Sequence, residues 1–191
     1  MGILKSRVST EVEKEDIENA LTVGNATSEW LRWKDQEEEK RIAWSAFEYD
    51  CSLCTLTSRR GAVDLPELPS HLPCAEPLWD APSAQAWAAL YSRLSTTARG
   101  APTSQILRNL LAAKAVPADL PAWSKRLCAQ NIGRLLWDLK QLDIMATNEY
   151  LGLPSMSAAQ RQTKSMLLQG LNTICESMYS PGTTAELIHY K

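Results

Sequence analysis

Two histidines and one phenylalanine occur in 191 residues. With so few imidazoles, acid–base chemistry would have to rest on carboxylates. No glycine-rich phosphate loop follows a strand-like run. Ser58 and Ser70 lack the strand–turn–helix setting of a nucleophile elbow, so no catalytic constellation emerges. Basic excess is missing too: 20 Lys and Arg stand against 22 Asp and Glu, for a net charge of −2. A domain that grips DNA needs a basic face, because phosphate neutralisation supplies much of the affinity. The run Asp35 to Glu39 would repel DNA locally. No apolar stretch nears the roughly 20 residues that span a bilayer, and the N-terminus has no secretory core. Gly2 with Ser6 four residues on fits the myristoylation pattern, which is too short to weigh much.

Cysteine is present but does not organise a metal site. There are 5, an odd number, which without a signal peptide fits a reducing compartment and free thiols. Cys51 and Cys54 have the C-x-x-C spacing, yet zinc needs two more ligands at matching spacing. His71 and His189 belong to no second pair. Both cysteines fall on the apolar side of a helical pattern and read as buried thiols. The sequence therefore implies no metal and no cofactor.

Helical periodicity dominates what is there. Residues 1–27 form a charged N-terminal segment, with a partial helix over 11–21 carrying Val12, Ile17 and Leu21. Thr27 or Ser28 is the expected N-cap of a long helix over 29–57, which contains neither Gly nor Pro. Trp33, Trp44, Phe47, Cys51 and Cys54 follow a three-or-four spacing. Ile42, Ala46, Tyr49, Leu53 and Leu56 form an adjacent stripe. The second half of this helix is expected to be buried and its first half, Lys34 to Lys40, solvent-facing.

Pro66, Pro69, Pro73, Pro77 and Pro82 then exclude long helix and predict an extended connector. Helices follow over 84–94 with Ser83 as cap, over 104–113, from Pro121 until Leu151–Pro154, and over 157–178. Residues 181–191 form a C-terminal tail. No alternating strand is found. The class is all-α, an irregular multi-helix domain with a proline-rich extended connector, its body at 28–180.

Asp50 breaks the apolar pattern between Phe47 and Cys54. A buried carboxylate needs a partner, and Arg59 and Arg60 just past the helix are the nearest in sequence. A structural ion pair of Asp50 with Arg59 and Arg60 is the expectation.

The stretch Trp30-Leu-Arg-Trp33-Lys-Asp-Gln-Glu37-Glu-Glu-Lys40-Arg41-Ile-Ala-Trp44-Ser-Ala-Phe47-Glu-Tyr-Asp50 resembles the signature of the fungal-specific transcription factor domain. Leu72-Pro73-Cys74-Ala-Glu76-Pro-Leu78-Trp79-Asp80-Ala81-Pro82-Ser83 continues it, so the match is strongest over 30–90. Trp33, Glu37, Arg41, Trp44, Phe47, Pro73 and Trp79 form the signature core. Lys40 stands where the family usually has Arg, and Gly61 where a Pro is usual. The resemblance implies a helical regulatory region, the middle homology region of fungal zinc-finger transcription factors, often of carbon use or secondary metabolism. It implies a nuclear protein that contacts partners of the transcription machinery or itself, with no membrane role. DNA would be reached only through a zinc finger missing from this chain, and any zinc would belong to that finger. The chain reads as a fragment of such a factor. The alternatives are a standalone helical scaffold or dimerisation protein, and a degenerate paralogue without regulatory activity.

Overall fold

Without Gly or Pro to interrupt it, the chain from Ala26 to Thr57 forms one long helix, α1. The computed structural model describes residues 26–146 and 157–179. The helix expected over 11–21, the Gly2 pattern, the Leu151–Pro154 stop and the 181–191 tail lie outside the described residues. After α1 come a single 3-10 turn at Leu65–Glu67 and six helices. These are α2 (Glu76–Trp79), α3 (Ala84–Arg93), α4 (Thr96–Gly100), α5 (Thr103–Leu111), α6 (Ala122–Ala146) and α7 (Ala158–Tyr179). Among the described residues the only bridge-type pairing outside helices is His71 with Pro102, so the domain is all-α. The described residues fall into two units. One lies within Met1–Ser104 and Pro117–Ser124, the other within Gln105–Val116 and Lys125–Lys191.

In the first unit the face of α1 that packs is set by steps of three and four: Trp33, Glu37, Lys40, Trp44 and Phe47 are all buried. This corrects the expectation for the helix. Its first half is not wholly solvent-facing, because Glu37 and Lys40 are buried with the aromatics. Its second half is not largely buried, because Tyr49 and Leu56 are exposed and Cys51 and Cys54 only half-buried. Thr27 and Ser28 lie inside a helix that already contains Ala26, so neither is its cap. Ser58, with φ of 52°, takes the left-handed conformation just beyond the last turn.

The connector is extended, as its prolines require. Its backbone runs antiparallel to residues 98–103. Leu72 N–H donates to Ala101 O at 2.9 Å, Ala75 N–H to Ala98 O at 2.8 Å, and Thr103 N–H to Ser70 O at 2.8 Å. Pro66 and Pro77 sit in first helical turns, where a missing N–H costs nothing. Leu72 and Leu78 are fully buried anchors. Ser83 caps α3 by accepting from Ala86 N–H at 3.2 Å, and Ser95 caps α4 by accepting from Ala98 N–H at 3.1 Å. The rings of Trp33, Trp87 and Tyr91 stack in one core, with centroids 5.4 and 5.1 Å apart.

In the second unit Ile106, Leu110, Leu127, Ile132, Leu167 and Ile174 are buried. Gly170 lets α7 approach α5: a Cβ there would stand 3.3 Å from Leu110 O. The expected stripe on α6 holds at Cys128 and Ile132, which are fully buried, but Leu142 is 52% exposed.

Candidate functional site: a carboxylate clasp on the signature helix

Glu37 lies three and four residues before Lys40 and Arg41, so all three side chains meet on one helix face. Its side chain is fully buried. Oε1 accepts from Cys74 N–H at 2.8 Å and from Arg41 Nε at 3.4 Å, while Oε2 accepts from Lys40 Nζ. Arg41 carries the link onward. Nη1 reaches Glu76 at 3.1 Å and Nη2 the Cys74 carbonyl at 3.1 Å. Its guanidinium lies 4.8 Å from the Trp79 ring and 5.4 Å from the Trp123 ring. Trp123 Nε1 in turn donates to Glu48 at 3.0 Å.

Both carboxylate oxygens of Glu37 are occupied by donors from the protein itself. A buried charge so satisfied is stable and closed to substrate. The cluster therefore fastens the connector to α1. Among the described residues no group of three or more His, Cys, Asp or Glu is placed to hold a metal ion. No described helix is long and apolar enough to cross a membrane.

The structure brings the signature residues together. Trp33, Glu37, Trp44, Phe47 and Pro73 are buried, and Arg41 and Trp79 are half-buried around them. Trp44 meets Phe47 edge-on at 5.9 Å and donates its indole N–H to His71 O at 2.9 Å. Sequence reading missed Lys40, Cys74, Glu76 and Trp123 as members of the cluster. The Glu37–Lys40–Arg41 spacing was a usable signal; the others arrive from distant segments and have none.

Asp50 is buried, as an acid inside the apolar pattern of the helix is expected to be. Arg59 and Arg60 are both exposed, and Arg60 pairs with Asp64 at 3.1 Å. Two bonds on Asp50 come from the backbone, from Ala62 N–H at 2.9 Å and Val63 N–H at 3.2 Å. The acid thus ties down the loop by capturing amides. Asp50→Ala should strand these donors and cost about 1–3 kcal/mol, with Asp50→Asn costing less because one acceptor remains. Urea melts of both variants check this; equal stability of Asp50→Ala and wild type would refute it.

The cysteines offer a second test. Burial pushes the Cys128 thiol up to about 12. Burial, then the nearby Glu37 charge, push Cys74 higher still, against the opposing pull of Arg41 and Lys40. Both thiols stay protonated in the fold at pH values where an unfolded thiol, near pH 8.5, has ionised. Native protein should lose iodoacetamide reactivity at Cys74 and Cys128 while Cys51, Cys54 and Cys175 are labelled, as mass spectrometry would show. Because the folded values are raised, this contribution to stability is complete below about pH 8.5 and is lost as pH rises toward 12.

A family model described as the fungal specific transcription factor domain matches residues 5–186. The chain belongs to this family. Zinc finger protein klf1 of Schizosaccharomyces pombe is 28% identical over 134 residues, which is 70% of this chain and 17% of that protein. The nicotinate catabolism cluster-specific transcription factor of Emericella nidulans is 29% identical over 116 residues, 60% of this chain and 13% of that protein. The chain thus spans 17% and 13% of the length of these relatives. No solved structure matches it. The family is one of transcription factors and not of enzymes.

Proposed function

We propose that this chain is the regulatory region of a fungal transcription factor. In this reading residues 28–180 modulate RNA polymerase II transcription in the nucleus, through contacts with protein partners or an effector. The observation that carries the reading is the extent of the family match, residues 5–186. The names of both relatives support it, one a zinc finger protein and the other a cluster-specific transcription factor. DNA is reached through a zinc finger outside these residues, and zinc belongs to that finger. The net charge of −2 supports this division, since no basic face is offered to phosphates. The clasp supports it as well: its charges hold helix to connector and leave a folded body for contacts elsewhere.

The test is a tethering assay. The chain is fused to an unrelated DNA-binding domain in a fungal nucleus and a reporter is measured. Reporter output should change with the chain and revert when Glu37→Ala unfolds it. Unchanged output from a fusion that is folded and bound to its site would overturn the reading.

A further inference from the structure

The Cys51 and Cys54 pair has no place in the clasp. The two lie three residues apart near the end of α1, on one side of the helix, as half-buried thiols. Cys74 and Cys128 are fully buried, so a small oxidant in solution meets the first pair and not these.

The end of α1 is built to yield. Past Asp50 the helix buries no residue, and Ser52, Leu53, Thr55, Leu56 and Thr57 are all exposed. Ser52, Thr55 and Thr57 turn their hydroxyls back onto the carbonyls of Glu48, Cys51 and Leu53, at 3.0, 3.0 and 2.7 Å. Such back-bonding competes with the helical N–H for the same carbonyls and weakens the helix. A segment with so little buried opens locally at low free energy. At its upstream edge stands Asp50, whose carboxylate accepts from the Ala62 and Val63 amides.

We infer that Cys51 and Cys54 are a redox-modified dithiol, that its co-substrate is a small oxidised disulfide such as oxidised glutathione, and that its closure loosens the loop held by Asp50. One thiolate attacks the glutathione disulfide and expels one glutathione thiol, leaving a mixed disulfide. The second thiolate displaces the other glutathione. The cysteines lose two electrons and two protons, and the oxidised glutathione becomes two thiols. Helical residues three apart hold their Cβ atoms about 5–6 Å from each other. A disulfide needs about 3.5–4.5 Å. The bridge therefore cannot close in a regular helix, and the turn from Cys51 to Cys54 must leave helical geometry. Asp50 adjoins that turn, so its hold on Ala62 and Val63 weakens with it. Trp33, Trp44 and Phe47 lie upstream and keep their packing. The strain also makes the bridge easy to reduce, as a reversible modification requires. This inference rests on the end of α1 alone and stands apart from the transcriptional reading.

The test is a titration of the whole chain with oxidised and reduced glutathione, followed by mass spectrometry and amide hydrogen exchange. The expected oxidised product has Cys51 bridged to Cys54 and loses about two turns of helix by circular dichroism. Exchange at Ala62 and Val63 should quicken by about tenfold, while the α1 amides around Trp44 stay protected. Excess reduced glutathione should restore all of this. Cys51→Ser and Cys54→Ser supply the control. Each should take up glutathione at the remaining thiol and keep Ala62 and Val63 protected, since a mixed disulfide asks for no change in the helix. Mixed disulfides at both positions of the wild type without a bridge overturn the proposal. So do a bridge from either cysteine to Cys175, a Cys51–Cys54 bridge that leaves Ala62 and Val63 unchanged, and one that unfolds the chain as a whole.

Discussion

Glu37→Ala is expected to cost about 3–5 kcal/mol of folding free energy, read as a lower urea midpoint with an unchanged slope. The loss exceeds that of an ordinary hydrogen bond because of what stays behind. Lys40 is 8% exposed and has its Nζ bonded to Glu37. Without the carboxylate this ammonium stays buried with its counter-charge gone. The Cys74 N–H loses its acceptor at the same time. Arg41 suffers less, since Glu76 and the Cys74 carbonyl still hold it. That asymmetry yields a sharper test than the single variant. Replacing Glu37 and Lys40 together by Met removes both charges and keeps the volume, and should cost less than Glu37→Ala alone. Such domains have about 5–15 kcal/mol in all, so Glu37→Ala should be close to unfolded at physiological temperature. If the double variant is instead the weaker of the two, the clasp contributes net stability and not merely the avoidance of a stranded charge.

The parts of this site that sequence reading reached are those written in local spacing. Trp33, Trp44 and Phe47 announce a helix face, and Asp50 announces itself as an acid inside an apolar pattern; both are buried. Glu37 and Lys40 break no apolar rule on the sequence alone, because charged residues ordinarily belong to the wet side. Only their fixed distance from Arg41 hints that they share the aromatic face. The exposed stripe shows the opposite failure. Ile42, Tyr49 and Leu56 have the same periodicity as the packed face, so periodicity cannot say which apolar side meets the core. Backbone partners are invisible for a different reason. The amides of Ala62 and Val63 that bond Asp50 carry no residue signature, so a sequence can name only side-chain partners for it. The short helices α2 and α4, of 4 and 5 residues, are too brief to display a period.

Gly100→Ala is expected to destabilise by about 3 kcal/mol or more, the strain of a sparsely populated backbone region plus a clash that cannot relax cheaply. Gly100 ends α4 with φ of +120°, a conformation that L side chains rarely adopt. A Cβ there would stand 2.8 Å from Leu72 O. That atom is backbone, and its residue is pinned by the Leu72 N–H to Ala101 O bond at 2.9 Å. Relief requires the connector to move off residues 98–103. The same Cβ would lie 3.6 Å from Lys40 Nζ and 4.0 Å from Cys74 N, so the movement reaches two donors of the Glu37 clasp. Gly100→Ala and Glu37→Ala should therefore combine to less than the sum of their separate costs, because each loosens what the other depends on. Gly133 supplies the control. It sits within α6 with nothing inside 4 Å of its would-be Cβ. Gly133→Ala should stabilise by up to about 1 kcal/mol through helix propensity alone. Opposite signs for one chemical change, measured in the same urea titration, would locate the demand for glycine in the antiparallel contact between the connector and α4. Equal effects at the two positions would mean that this contact yields without cost.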